Sequence, residues 1–120
     1  MDILKLISRK KHMFIDDLNG IFGFVIYDKV EKEFLVARDH IGIIPLYMGR
    51  DEMDTLFISS ELKALEGRCT KIEIFPPGHY MSSKDCKLKK WYKRDWMKYD
   101  NVKNNNTSIE DLKKSLEDAV

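Results

Sequence analysis

Apolar and charged residues alternate in blocks along the first part of the chain. Residues 21–27 are almost continuously apolar, residues 28–33 are mostly charged, and residues 34–37 are apolar again. Two apolar runs joined by a short polar connection are typical of a β-hairpin. The first run shows no alternation with polar residues, so it predicts a strand that is buried on both faces.

Further short strands are predicted along the middle of the chain. One to two helical turns are predicted over residues 60–65, with Ser59 or Ser60 as the N-terminal cap and Gly67 as the end. A turn is predicted at Pro-Pro-Gly, residues 76–78, because proline and glycine interrupt strands. The predicted strands lie at residues 46–48, 56–59, 72–75, 80–82 and 88–92.

The two ends of the chain carry helical patterns. Apolar residues at positions 3, 4, 6 and 7 predict an amphipathic helix that ends in a basic run at residues 9–11. Residues 100–108 are polar and without periodicity, which predicts a linker. Residues 107–110 fit a capping box, and Ile109, Leu112 and Leu116 follow at helical spacing. We therefore expect one domain over residues 1–99, a linker over 100–108, and a truncated helix of a second domain over 109–120.

Composition excludes several classes of protein. With 120 residues, 43% of them hydrophobic, the chain suits one small globular domain. A net charge of +1 gives no sign of a nucleic-acid or membrane partner. Neither a signal peptide nor a membrane-spanning run is visible. Cys69 and Cys86 lack metal-ligand spacing, so we expect free thiols in a reducing, cytoplasmic compartment.

Candidate chemistry centres on residues 37–47. Here an apolar strand ends on the charged pair Arg38-Asp39, and Gly42 and Pro45 then shape the backbone. A strand that ends on a charged pair and a shaped loop often supports a binding or catalytic surface. The alternative is a plain connection between two buried strands, with the pair holding the turn.

No catalytic constellation is visible among the other reactive residues. The adjacent Asp39 and His40 would point apart on an extended backbone, so a dyad is not expected. Neither cysteine has a base nearby in sequence, and no phosphate-binding glycine motif occurs. The residues alone therefore indicate a mainly β domain without an evident active site.

Five segments in the same order resemble one family. The stretch Arg-Asp-x-x-Gly-x-x-Pro-Leu-Tyr, from residue 38, resembles class II glutamine amidotransferases and most closely glutamine-dependent asparagine synthetase. Amidophosphoribosyltransferases share some of these segments, usually with Arg at the position of Ile44, so another class II amidotransferase is an alternative. The Phe-Pro-Pro-Gly turn favours asparagine synthetase. The other segments are residues 18–24, 60–65, 75–80 and the aromatic residues Trp91, Tyr92 and Trp96.

The resemblance implies an α+β fold, part of the N-terminal-nucleophile hydrolase sandwich (α/β/β/α), with mainly antiparallel strands and the start of a C-terminal helix. Residues 1–99 would be the second half of the glutaminase domain. In the whole enzyme an N-terminal cysteine attacks glutamine, and the ammonia travels inside the protein to a second domain. There ATP, with Mg²⁺, activates aspartate for amidation to asparagine. A homodimer through the glutaminase domain is also implied.

The chain departs from the family in its catalytic parts. Residue 2 is Asp, where the family has its nucleophilic Cys. We expect the glutamine-binding segments upstream of Met1 and the ATP-binding Ser-Gly-Gly-Leu-Asp-Ser loop downstream of Val120. The resemblance thus implies no catalytic, cofactor-binding or metal residue in this chain, and no activity from these residues alone.

Supporting roles are implied for four retained residues. Ile21 and Ile43 resemble apolar positions along the ammonia path. Arg38 and Asp39 resemble a pair that positions the loop or links two domains. The alternative is that all four are ordinary core and turn residues. A rival interpretation of the whole chain is a non-catalytic binding module derived from the domain. Because half a sandwich exposes apolar faces and strand edges, we expect self-association of the isolated chain.

Overall fold

A computed structural model of the protein describes residues 11–120, whose strands form two antiparallel sheets. Sheet A has the strand order β1-β2-β6-β7, and sheet B has the order β4-β3-β5. The α+β prediction with antiparallel strands and a C-terminal helix is confirmed. The strands are β1 (Gly23–Asp28), β2 (Glu33–Arg38), β3 (Tyr47–Arg50), β4 (Leu56–Ser59), β5 (Lys71–Ile74), β6 (His79–Ser82) and β7 (Leu88–Lys90).

Short helices flank the sheets. The helix predicted over residues 3–7 lies outside the described residues. A four-residue helix begins within one residue of the predicted start of the linker, so residues 100–108 are not wholly irregular. Among the described helices, none is long and apolar enough to span a bilayer. The helices are 3-10 at Lys11–Asp17, Leu62–Ala64 and Asp95–Met97, and α at Tyr99–Val102 (α1) and Ile109–Ala119 (α2).

The predicted β-hairpin is confirmed, and its alternating side chains build two core layers. β1 pairs with β2 from Gly23 opposite Arg38 to Asp28 opposite Glu33. One face of sheet A packs against the 3-10 helix Lys11–Asp17, and the other packs against sheet B. The buried residues of the first layer are Phe14, Ile15, Leu35, Ala37 and Tyr80, and those of the second are Val36, Leu46, Phe75 and Met81.

The prediction that the first apolar run is buried on both faces is wrong. Phe24 and Ile26 of β1 pack against the first core layer. Val25 and Tyr27 point to the opposite face and remain 50% and 55% exposed. The reason is tertiary: the second core layer joins sheet B to β2 and β6 and includes no residue of β1.

A short link and a cavity lie where the two sheets meet. β5 leads into β6 through residues 75–78, and this short link joins sheet B to sheet A. A cavity of about 210 Å³ lies between the sheets, lined by residues of β3, β4 and β5 on one side and by Met81, Cys86 and Leu88 on the other. Ahead of β3, side-chain atoms of Ile44 and Leu46 lie 3.9 Å from the position that a Cβ on Gly23 would occupy.

Two predicted helix caps are corrected in detail. The helical turn near residue 60 has Glu61 at its N-cap without a side-chain bond, and Ser59 instead accepts a hydrogen bond from the Glu61 N–H at 3.0 Å. Gly67, with φ of +75°, follows the turn as predicted. α2 is capped by Ser108, which accepts from the Asp111 N–H at 3.1 Å, one residue later than the predicted box.

Candidate functional site

Arg38 forms the centre of the loop that the sequence singles out. It ends β2, and only 6% of its surface is exposed. Its guanidinium group donates to three backbone carbonyl groups: Nε to Ile44 at 3.0 Å, Nη1 to Phe75 at 2.6 Å, and Nη2 to Gly42 at 2.7 Å. The planar fork of donors suits three acceptors spread around one centre. Arg38 thus ties its own loop to the link between β5 and β6. We call residues 38–45 the clamp loop.

Asp39 fixes the same loop through different groups. Its Oδ1 accepts a hydrogen bond from the Gly42 N–H at 2.8 Å. Its backbone N–H donates to Phe22, and its carbonyl accepts from the Gly78 N–H at 2.8 Å. Oδ2 is buried and has no hydrogen-bond partner within residues 11–120. Arg38 and Asp39 form no ion pair with each other in the described part of the chain, so each acts on the backbone separately.

Gly42 occupies a position that no other residue fits without strain. Its φ is +74°, a left-handed conformation that glycine adopts freely. A Cβ there would lie 2.6 Å from Pro77 Cγ and 3.0 Å from Arg38 Cζ. The glycine therefore lets the clamp loop lie directly against the Pro-Pro-Gly turn. Two motifs about 35 residues apart in the sequence are thus in direct contact.

The aromatic cluster fastens the end of the domain to the clamp loop. Trp91 Nε1–H donates to the Arg38 carbonyl at 2.9 Å, and its ring stacks on Phe22 at 5.9 Å. The His40 ring stacks on Tyr92, with centroids 4.5 Å apart. Contacts among Trp91, Tyr92 and Trp96 confirm the predicted cluster. The sequence showed the cluster, but no signal in it connected Trp91 with a loop 53 residues away.

The remaining candidate residues lie at the surface. Ile21 is 55% exposed and Ile43 is 56% exposed, so neither belongs to the core. Both cysteines are free thiols, with Cys69 packed against Gly49 and Cys86 exposed. Within the described residues, no three His, Cys, Asp or Glu side chains are placed to hold a metal ion. The geometry therefore supports a rigid loop that presents exposed isoleucines, rather than a set of acid–base groups.

Comparison with known proteins gives consistent matches. The family described as "glutamine amidotransferase domain" matches residues 2–67. Asparagine synthetase B (glutamine-hydrolysing) of Escherichia coli K12 is 48% identical over 118 residues, 98% of this chain and 21% of that protein. A probable asparagine synthetase of Dictyostelium discoideum is 39% identical over 122 residues, 98% of this chain and 22% of that protein.

A third relative matches a shorter part of the chain. The nodule asparagine synthetase of Pisum sativum is 46% identical over 83 residues, which is 69% of this chain and 14% of that protein. The chain thus spans about a fifth or less of the length of these relatives. Because the family match covers more than half of the chain, and these similarities are to asparagine synthetases, the chain belongs to the glutamine amidotransferase domain family, in the branch that glutamine-dependent asparagine synthetases represent.

Proposed function

We propose that this chain is the second half of the glutaminase domain of a glutamine-hydrolysing asparagine synthetase, followed by a linker and the first helix of the synthetase domain. The divisions are residues 1–99, 100–108 and 109–120. One observation carries the proposal: identity to the E. coli synthetase runs over 98% of the chain, well past residue 67, where the family match ends. The reaction of the whole enzyme would be the ATP-dependent amidation of aspartate with ammonia from glutamine.

The proposal assigns the chemical steps to parts of the enzyme other than these residues. Cys69 is half-buried against Gly49 and Cys86 lies in the turn before β7, so neither resembles the N-terminal nucleophile of the family. The described residues bring no three His, Cys, Asp or Glu side chains together, and the proposal places ATP and Mg²⁺ in the synthetase domain of the whole enzyme. These residues alone are proposed to be inactive.

The contribution proposed for this chain is positional. Arg38 and Asp39 would hold the clamp loop, as their hydrogen bonds to Gly42, Ile44 and Phe75 support. Ile21 and Ile43 would line part of the ammonia path. Their exposed hydrocarbon side chains support this role, because an apolar wall suits a neutral molecule and excludes water.

Location and assembly follow the same proposal. The free thiols of Cys69 and Cys86 favour a reducing compartment, so we propose a cytoplasmic enzyme. A homodimer through the glutaminase domain is proposed from the family resemblance. Glutamine, aspartate and ATP would be substrates of the whole enzyme only.

Exchange of the matching segment tests the proposed function. In E. coli asparagine synthetase B, the segment that aligns with this chain is replaced by residues 1–120. We expect glutamine-dependent asparagine formation, with kcat/KM within about tenfold of the parent enzyme, because 48% of the aligned positions are identical. Glutamate and asparagine are both measured, with glutamine or with ammonium chloride as nitrogen source.

Two results would count against the proposal. The first is a soluble exchange protein that makes asparagine from ammonium chloride but not from glutamine, since the inserted segment would then fail in its glutaminase role. The second is glutamine hydrolysis by the purified 120-residue chain that survives both Cys69→Ser and Cys86→Ser. That activity would need a site other than the one proposed.

The ammonia path makes a separate prediction in the same exchange protein. Ile43→Asp places a hydrated carboxylate where the proposal needs an apolar wall, so ammonia should escape before it is used. We expect the ratio of glutamate to asparagine formed to rise by about threefold or more. Ile41→Asp is the matched control, because Ile41 belongs to the same loop and is 62% exposed. An equal rise in both variants would remove Ile43 from the path.

A further inference from the structure

Three backbone segments meet in a closed ring of hydrogen bonds beside the clamp loop. The Gly78 N–H donates to the Asp39 carbonyl at 2.8 Å, and the Gly78 carbonyl accepts from the Trp91 N–H at 2.9 Å. The indole Nε1–H of Trp91 then donates to the Arg38 carbonyl at 2.9 Å. This ring, which we call the junction, joins the clamp loop, the Pro-Pro-Gly turn and the chain after β7.

Trp91 serves the junction with two parts of one side chain. Its ring stacks on Phe22, with centroids 5.9 Å apart, and packs against the first core layer. Its Nε1–H supplies the hydrogen bond to Arg38 that closes the ring. The indole is the side chain that combines a large apolar ring with an N–H donor at its edge. The donor therefore acts from a fixed position in the core.

The residues just after Trp91 also contact the clamp loop. The ring of His40 stacks on Tyr92, with centroids 4.5 Å apart. The guanidinium carbon of Arg94 lies over the Tyr92 ring, 4.5 Å from its centroid. Arg94 also forms an ion pair with Asp16 at 3.0 Å. Residues 91–94 are thus anchored both to the clamp loop and to the 3-10 helix Lys11–Asp17.

The chain beyond Arg94 lies at the surface. Among residues 95–120, all are exposed except Val102, which is half-buried. This segment contains the linker and the helix that we assign to the synthetase domain. A displacement of the segment is transmitted along the chain to residues 91–94, which touch the clamp loop.

We propose that Trp91 is a positioning residue for ammonia transfer, which holds the clamp loop in place relative to the chain that enters the synthetase domain. Ile43, which the proposed function assigns to the ammonia path, belongs to this loop. Arg38 and Asp39 hold the loop from within, and the indole hydrogen bond ties it to the departing chain. A small displacement of a positioned group is costly, and a gap in an apolar wall admits water. The inference rests on the proposed function for the ammonia path, whereas the junction is a feature of the fold.

Trp91→Phe in the exchange protein tests this role. Phenylalanine keeps an aromatic ring against Phe22 but removes the indole donor. We expect the ratio of glutamate to asparagine formed from glutamine to rise by about threefold or more, because ammonia escapes from the path. Asparagine formation from ammonium chloride bypasses the path and should stay within about twofold. Trp96→Phe is the matched control, because it makes the same chemical change on a side chain that is 60% exposed.

A double variant shows whether Trp91 acts through the clamp loop. If it does, Ile43→Asp with Trp91→Phe should give a ratio of glutamate to asparagine within about twofold of Ile43→Asp alone, because the path is already open. If the two effects multiply instead, Trp91 acts by another route and the inference is wrong.

Amide hydrogen exchange measures the hold on the clamp loop independently of activity. The Gly42 N–H donates to Asp39 Oδ1 at 2.8 Å, and in Trp91→Phe it should exchange about fivefold faster or more. The Thr55 N–H, which donates to Asp51 Oδ1 at 2.8 Å, is the reference and should change by less than about twofold. If the unsubstituted exchange protein makes no asparagine from glutamine, the proposed function fails, and the exchange rates still decide whether Trp91 holds the loop.

Three further outcomes would overturn the inference. One is a ratio of glutamate to asparagine that Trp91→Phe leaves unchanged, or that Trp96→Phe raises as much. Another is an equal loss of asparagine formation from glutamine and from ammonium chloride, since this would be a general structural effect. The third is a Gly42 amide that exchanges no faster in Trp91→Phe than in the unsubstituted protein.

Discussion

Replacing Arg38 with methionine is expected to lower the free energy of unfolding by about 3–5 kcal/mol, a large part of the stability of a domain of this size. The methionine side chain retains much of the length of arginine but has no hydrogen-bond donor. Three carbonyl groups, those of Gly42, Ile44 and Phe75, would lose a charge-assisted partner. Each loss is worth roughly 1.5–3 kcal/mol, and relief of the desolvation of the buried cation offsets part of the sum.

Urea unfolding of the chain, followed by tryptophan fluorescence, measures this loss. Arg50→Met is the matched control, because the Arg50 guanidinium group contacts the Asp54 carbonyl at 2.9 Å and its carboxylate at 3.2 Å, both at an exposed site. We expect the control to cost less than about 1 kcal/mol. Arg38→Lys should fall between wild type and methionine, since one ammonium group cannot reproduce the planar fork. If Arg50→Met lost as much stability as Arg38→Met, the result would contradict the stabilising role of Arg38 in the clamp loop.

Gly42→Ala is expected to destabilise the chain by about 2–4 kcal/mol, through two separable causes. The left-handed conformation costs a non-glycine residue about 1 kcal/mol. The added methyl group would also meet Pro77 Cγ at 2.6 Å and Arg38 Cζ at 3.0 Å. Overpacking of this kind costs a further 1–3 kcal/mol or so.

Gly67→Ala separates the two causes. Gly67 has nearly the same φ, +75°, but no atom lies within 4 Å of its added Cβ. We expect Gly67→Ala to lower the free energy of unfolding by about 1 kcal/mol, measured by the same urea unfolding. Equal losses at the two glycines would show that the clamp loop moves away from Pro77 without cost. The double variant Arg38→Met with Gly42→Ala should lose less stability than the sum of the two single losses, because both substitutions disturb the same contact.

Several elements of the fold were predictable from local patterns. The alternation of apolar and charged blocks predicted the β1–β2 hairpin, and helical spacing after residue 107 predicted α2. Gly67 and the turn at residues 76–78 were predictable from residue type alone. Glycine adopts positive φ without strain, and proline fixes φ and lacks a backbone N–H. Cap positions were less predictable, because several adjacent hydroxyl residues can accept the same kind of hydrogen bond.

The candidate site was only partly predictable. The charged pair after β2 drew attention to residues 38 and 39, and the family resemblance gave them a positional role. That Arg38 binds Phe75 and that Trp91 binds Arg38 depends on contacts between residues 37 and 53 positions apart. Local propensity holds no information on such pairs, since they form only when segments far apart in the sequence come together in the folded domain.

The sequence by itself determined the strands, the glycine and proline positions and the family of this protein, because each depends on short-range backbone preferences or on residue identity. Tertiary structure alone decided which face of β1 is covered. Residues 21–27 are apolar on both faces of the strand. Val25 and Tyr27 are nevertheless half exposed, because the second core layer includes no residue of β1. Burial is a property of the assembled layers, so an apolar strand shows what it can pack against but not whether the partner is present.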